Sequence, residues 1–166
     1  IKSLGTKYII IGHSDNRSEG DTDVQLKNKV IYSLKNNLKV IFCIGEDKLQ
    51  KKNKKTFKVL KRQLLKVLDK KFDKKNLIIA YEPIWSIGTG KIPSTIELLK
   101  TNKFIKQVLV KIFKNKKKIP AVLYGGSVDS SNIVQFKKIP EIDGFLIGGA
   151  SKSSKNFIDI IKNYYR

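Results

Sequence analysis

Methionine is absent, cysteine, histidine and tryptophan occur once each, and only three of the 35 basic residues are arginine. Each scarcity excludes something. The single cysteine, Cys43, cannot make an internal disulfide, which fits a reducing compartment; a cytoplasmic protein is expected. One histidine and one cysteine leave no His/Cys cluster at metal-ligand spacing, so no metal is expected. Long apolar runs are missing: the longest, such as Tyr8–Ile11 and Leu77–Tyr81, have strand length and fall far short of the ~18–20 residues of a membrane helix. No charged-then-apolar leader argues for secretion. With Ile1 in first place and no methionine anywhere, the chain is expected to be part of a longer one.

Negative charge is also scarce. Fourteen acidic residues face 35 basic ones, a net charge of +21. Such an excess steers anions and attracts nucleic acid. Recognition surfaces, however, favour arginine and interleaved aromatics. Here the basic residues are lysines apart from Arg17, Arg62 and Arg166, and their runs lack aromatics. Abundant Asn and Ile beside them fit a compositional bias, so nucleic-acid binding is not expected.

What is present is a repeating order. Short β-branched runs, Lys7–Ile11, Lys39–Ile44, Leu77–Tyr81, Ala121–Tyr124 and Gly144–Ile147, alternate with longer lysine-rich amphipathic stretches. Continuous apolar runs of this length predict strands buried on both faces. The intervening stretches predict helices over Asp23–Asn36, Thr56–Leu68 and Ser94–Phe113, with shorter ones after Ser130 and Ser153. Ser94, three residues before Glu97, has capping-box spacing. The run Asp47–Lys55 reads as a solvated loop and helix start. Five strand–loop–helix units predict an α/β fold with parallel strands. With no Pro/Ser linker, a single domain over residues 1–166 is expected.

Function in parallel α/β folds gathers at the carboxyl ends of the strands, and each distinctive motif falls there. Glu82 follows an apolar strand and precedes Pro83. A carboxylate walled by apolar side chains has a raised pKa and suits a general base, although alone it reads as readily as a structural carboxylate. His13 sits within Gly12-His13-Ser14 at another strand end; alone, a single histidine is more often structural than catalytic. Gly125-Gly126-Ser127 and Gly148-Gly149 end two consecutive strands. Glycines let backbone N–H groups approach phosphate oxygens, and the loops after strands seven and eight commonly bind phosphate in barrels.

Together these segments resemble the triosephosphate isomerase family. Ala80-Tyr81-Glu82-Pro83-Ile84-Trp85-Ser86-Ile87-Gly88-Thr89-Gly90-Lys91 resembles the family's base segment and mobile lid. Ile10-Ile11-Gly12-His13-Ser14 resembles its electrophile loop, and Phe42-Cys43-Ile44-Gly45-Glu46 its fifth strand end. Tyr124-Gly125-Gly126-Ser127-Val128 and Gly148-Gly149-Ala150-Ser151 resemble its phosphate loops. The resemblance runs the length of the chain, in family order and spacing. It implies a partial (β/α)8 barrel, with the five units matching strands four to eight. It implies interconversion of dihydroxyacetone phosphate and glyceraldehyde 3-phosphate in glycolysis and gluconeogenesis, with no metal or organic cofactor and a homodimer at full length. By the same resemblance, Glu82 is the base and neutral His13 the electrophile. Asp15, Ser14, Trp85 and Ile87 support them, Ile87 covering the base. Backbone N–H groups of Gly88, Ser127, Gly148 and Gly149 hold the phosphate.

Two departures stand out. The family's electrophile loop continues Glu-Arg-Arg, whereas this chain reads Asp15-Asn16-Arg17. The family's first-strand lysine, partner of that carboxylate, has no counterpart here, so the chain alone is expected to be inactive. Three rivals differ in what they require. Another phosphate-binding barrel enzyme shares the glycine pairs but not the Glu82–Lys91 segment. A basic nucleic-acid-binding protein requires a contiguous positive face and steeply salt-dependent binding. A decayed gene remnant is at odds with five intact motifs.

Overall fold

The computed structural model describes residues 2–115 and 117–166; Ile1 lies outside the described residues. Five strands form one sheet: β1 (Tyr8–Ile11), β2 (Lys39–Ile44), β3 (Leu77–Tyr81), β4 (Ala121–Tyr124) and β5 (Gly144–Phe145). They lie side by side in chain order and every pairing is parallel. Sequential order without a switch point is the arrangement of a barrel wall, since each crossover helix returns over the same face. The helices are α1 (Ser14–Ser18), α2 (Asp23–Lys35), α3 (Lys48–Lys52), α4 (Thr56–Val67), α5 (Thr95–Phe113), α6 (Ile133–Phe136) and α7 (Ser154–Tyr165).

Local chemistry accounts for where the helices begin. The Ser94 hydroxyl accepts from Glu97 N at 3.3 Å and Glu97 Oε2 accepts from Ser94 N at 2.9 Å, the capping box expected from the spacing. The same reciprocal cap is formed by Thr22 with Gln25 at α2 and by Asp47 with Gln50 at α3. The lysine-rich run 47–55 is therefore a separate short helix, not only a loop and helix start. Lys114, in the left-handed region at φ 49°, ends α5. The helix after Ser153 is a full 12 residues.

Burial follows the strand period of two. Val40, Phe42 and Ile44 of β2, Leu77, Ile79 and Tyr81 of β3, and Val122 and Tyr124 of β4 are all buried. They pack against Leu26 and Val30 of α2, Leu60 and Leu64 of α4, and Leu98, Ile105 and Leu109 of α5. Each such side chain contributes about 1.5–3 kcal/mol by leaving water. The opposite parity is less covered. Ile41, Ile78 and Leu123 are half-buried, and Tyr8 and Ile10 on the edge strand are each 48% exposed. The expectation of burial on both faces is met toward the helices and, on the other face, only at Cys43 and Ala80. A five-stranded arc covers one face with its helices and leaves the other as an open concave wall. The last strand is shorter than expected, Gly144–Phe145; Leu146 N still donates to Tyr124 O at 3.0 Å before the chain turns into Gly148-Gly149.

No helix among the described residues is long and apolar enough to cross a membrane.

Candidate active site

Residues 78, 80 and 82 share a strand parity, so Glu82 points to the concave face just above Ala80, where β3 ends. Its own N–H donates to Ile44 O at 2.8 Å, one rung beyond the regular ladder. Pro83 carries no N–H and ends the strand. Two neighbouring strand ends are shaped around Glu82, one to its side chain and one to its backbone. A Cβ at Gly125, after β4, would lie 2.8 Å from Glu82 Cγ and 3.2 Å from Oε1. A Cβ at Gly45, after β2, would lie within 1.8 Å of the Glu82 carbonyl oxygen. Glycine at both positions is thus a steric requirement set by Glu82.

Gly45 is also clamped from behind. Gln63 of α4, itself buried, accepts from Gly45 N and donates to Gly45 O, both at 3.0 Å. Gln63→Ala leaves a buried donor and a buried acceptor without partners, each costing about 1–3 kcal/mol. Chemical denaturation should therefore show a loss of about 2–6 kcal/mol; a loss below about 0.5 kcal/mol would show that the clamp contributes little.

The histidine arrives from β1. Gly12 takes φ +78°, with room for no side chain: a Cβ there would stand 3.1 Å from Arg17 Nη2, Cys43 O and Phe42 Cε2. His13 then caps α1, its Nδ1 accepting from Asp15 N at 3.4 Å. Nδ1 thus has both Asp15 N and Asp15 Oδ2 at 3.4 Å, leaving Nε2 as the nitrogen turned away from Asp15. That nitrogen faces Glu82 Oε1 at 3.8 Å. Arg17 secures the loop: Nε donates to Gly12 O at 2.8 Å and Nη2 to Cys43 O at 3.0 Å, so one guanidinium ties the end of β1 to β2. Burial lowers the Arg17 pKa, with Asp23 opposing the fall.

Glu82 is 5% exposed, and its Oε2 is buried without a hydrogen-bond partner among the described residues. Burial raises its pKa above the usual glutamate range; the Cys43 thiol and His13 offset this in part. Burial likewise raises the Cys43 thiol far above its ordinary value, so it stays protonated. A second buried carboxylate, Glu46, is also raised by burial, against hydrogen bonds from Trp85 Nε1 at 2.9 Å and from the Tyr81 hydroxyl at 3.3 Å.

Both carboxyls hold a proton more tightly in the fold than in the unfolded chain. Between the ordinary glutamate pKa and the raised values the folded state binds more protons, so stability falls as pH rises through that window. The stabilising contribution is complete below the window and lost above it. Glu82→Gln and Glu46→Gln should each flatten this decline in urea midpoints measured against pH. A wild type that gains stability relative to both variants across the window would contradict the assignment.

His13 and Glu82 open onto one cavity of about 350 Å3, together with Ile87, Gly88, Ser127, Gly148 and Gly149. Seven of the ten residues singled out from sequence therefore share one space. The other three do not line it. Ser14 borders a much smaller void beside Glu82. Asp15 stands outside with its side chain 82% exposed, 3.4 Å from His13 Nδ1. Trp85 faces the other way, hydrogen-bonded to Glu46 and lying under Lys51, whose Nζ is 3.5 Å from the ring centroid.

The glycine-rich loops divide in role. Gly148 and Gly149 border open space, as backbone anion binding requires. Gly126 is needed for another reason: a Cβ there would meet the Tyr124 hydroxyl at 2.2 Å and Ser86 Oγ at 2.7 Å. Ser127 N is turned toward Ser86 Oγ at 3.3 Å. Its loop is braced by Asp129, whose Oδ1 accepts from Ser131 N at 2.8 Å and Asn132 N at 3.0 Å, while Asn132 Nδ2 donates to Ser127 O at 3.2 Å. Among the described residues, no group of three or more His, Cys, Asp or Glu side chains is placed to hold a metal ion.

Parallel strands in sequential order, helices on one face, and polar groups gathered where strands end define a segment of a TIM barrel with an acid–base site beside glycine-lined loops. Sequence comparison specifies which one. The family profile described as triosephosphate isomerase matches residues 1–164. The triosephosphate isomerase of Zygosaccharomyces bailii is 42% identical over 165 residues, covering 98% of this chain and 66% of the relative. That of Buchnera aphidicola subsp. Schizaphis graminum is 44% identical over 167 residues, covering 98% of this chain and 65% of the relative. The chain belongs to the triosephosphate isomerase family, and it spans just under two thirds of the length of these relatives, corresponding to their C-terminal portion.

Proposed function

We propose that this chain carries the base, the electrophile and the phosphate loops of a triosephosphate isomerase. The observation that supports this most directly is the meeting of Glu82 and His13 Nε2, 3.8 Å apart, in a cavity whose far wall is Gly148-Gly149. The carboxylate of Glu82 takes a proton from the carbon beside the substrate carbonyl. The electron pair of that C–H bond forms the enediolate double bond, and the carbonyl oxygen accepts the displaced charge. Neutral His13, donating from Nε2, protonates that oxygen and takes up the proton of the neighbouring hydroxyl, whose oxygen becomes the new carbonyl. Glu82 then returns the proton to the adjacent carbon, converting ketose to aldose without net change in composition.

Burial prepares the base. A carboxyl raised above the ordinary glutamate range is a stronger base once ionised, and exclusion of water strengthens its interactions. Ile87 supplies apolar cover from the overlying segment. The phosphate is held by backbone N–H groups of Gly88, Gly148 and Gly149, joined by that of Ser127 once it leaves Ser86 Oγ. Ser14 supports the His13 loop, Asp15 borders the imidazole, and Trp85 anchors the hinge of the covering segment. The family resemblance further supports a homodimeric cytoplasmic enzyme of glycolysis and gluconeogenesis, acting as one domain without a cofactor and binding neither nucleic acid nor membrane.

The test is turnover of dihydroxyacetone phosphate, measured in parallel on this chain and on a protein carrying it at its relatives' full length. Turnover at full length should rise with pH as Glu82 ionises, with its midpoint above the ordinary glutamate range. Absence of isomerisation at full length in a folded protein would refute the reading.

A further inference from the structure

A second cavity, of about 250 Å3, shares no lining residue with the one that holds Glu82 and His13. It opens between α3, the start of α4 and the start of α5. Its walls are the rings of Phe57, Trp85 and Pro93. Phe57 stacks on Phe104 with 4.6 Å between centroids, yet stays 44% exposed. The indole N–H of Trp85 is already given to Glu46, so Trp85 offers the cavity apolar surface and no donor. A cavity of about 150 Å3 admits benzene. This one has room for a ring with a substituent at either end.

The two ends of the cavity differ in charge. At its floor lie Glu46 and Tyr81, both buried. The Tyr81 hydroxyl stands 3.3 Å from each Glu46 oxygen, but it has one proton to give. Trp85 Nε1 supplies a donor to Oε1 alone. Oε2 is therefore left without a donor of its own, in a residue too buried for bulk water to supply one. The mouth is positive, with Lys51, Lys54 and Lys100 around it and Glu97 the one carboxylate among them. Glu97 is already engaged, by Ser94 at Oε2 and by Lys51 at 3.5 Å from Oε1. Lys54 and Lys100 have no ion-pair partner among the described residues. Helix α4, whose Thr56 and Phe57 also border the cavity, begins without a side-chain cap, so its free N–H groups add to the positive field.

We propose that this cavity binds a small aromatic acid with a hydroxyl at the end opposite its carboxylate. The ring lies against Phe57 and Trp85, and the carboxylate meets Lys54 and Lys100 at the mouth. The hydroxyl gives Glu46 Oε2 the donor it lacks. Glu82, His13 and the glycine-rich loops take no part, so the proposal does not rest on the isomerase reading.

Trp85, the chain's only tryptophan, lines the cavity and reports its occupancy without any reaction. Titration of this chain with 4-hydroxybenzoate should change Trp85 fluorescence saturably, with half-saturation at or below about 1 mM. Lys54 and Lys100 are exposed, so replacing them spares the fold. Lys54→Gln with Lys100→Gln, at unchanged far-UV circular dichroism, should weaken binding at least ~tenfold. Benzoate, which lacks the hydroxyl, should bind wild type about fivefold more weakly, the worth of one hydrogen bond. Glu46→Gln should abolish that preference, because Trp85 takes the amide oxygen and the amide nitrogen accepts nothing. Should Glu46→Gln not fold, the preference in wild type still decides. Inorganic phosphate, which lacks the ring, should bind more weakly than either acid. No saturable change up to about 10 mM, unaltered affinity in the paired lysine variant, or benzoate or phosphate binding as tightly as 4-hydroxybenzoate would overturn the proposal.

Discussion

Replacing Glu82 with aspartate should lower triose phosphate turnover at least ~100-fold while leaving substrate binding nearly unchanged. The charge stays, but the carboxylate retreats by one methylene, roughly 1.5 Å. A base must lie within hydrogen-bond reach of the proton it removes, and a misplacement of about 1 Å costs ~100-fold. The surroundings offer no remedy. The backbone at Glu82 is held by Ile44 O, and the adjoining strand end is fixed in turn by Gln63. The shortened side chain therefore has no route to follow the substrate. The check is kcat and KM at full length; near-normal kcat would remove Glu82 from the base role.

The second large effect is on folding. Gly45→Ala places a methyl group 1.8 Å from the Glu82 carbonyl oxygen and 2.6 Å from its carbon. Those atoms are backbone, so neither can turn aside as a side chain would. Either β2 and β3 part at their carboxyl ends or the Gln63 clamp breaks. Overpacking in a well-filled site costs about 1–3 kcal/mol, and more where backbone must move, so a loss above about 3 kcal/mol is expected. For a chain of this size that lowers the unfolding temperature by roughly 6–12 °C. A scanning calorimetry shift below about 2 °C would show that the strand ends are more yielding than their geometry implies.

Much of this was readable before any coordinates. The β2, β3 and β4 boundaries coincide with their apolar runs because each strand is central, with a partner strand on either side. Ser94 and Glu97 announced α5 through local chemistry alone. His13 and Glu82 stood out because a polar residue directly after an apolar strand in a parallel fold falls at the functional end of the sheet. What stayed hidden depends on register. That Gly125 clears space for Glu82 follows from Tyr81 pairing with Tyr124, which no spacing in the chain reveals. Gln63 lies mid-helix in a lysine-rich stretch, and its bond to Gly45 comes only from packing α4 on the end of β2. Glu46 was visible as part of a motif, but its ties to Trp85 and Tyr81 were not. Gly126 read as part of a phosphate loop, although its lack of a side chain answers to the Tyr124–Ser86 pair. The half-open concave face could not be seen in the apolar runs either, since an apolar strand reads the same with one covered face or two.

The central claim is that Glu82 moves a proton between the two carbons of a triose phosphate. Proton exchange tests this apart from product release: dihydroxyacetone phosphate is incubated in D2O with the full-length protein and followed by proton NMR. Wild type should replace a C–H hydrogen beside the carbonyl with deuterium, and Glu82→Gln, with the fold and His13 intact, should abolish that exchange. Deuterium incorporation at an undiminished rate in Glu82→Gln would contradict the account.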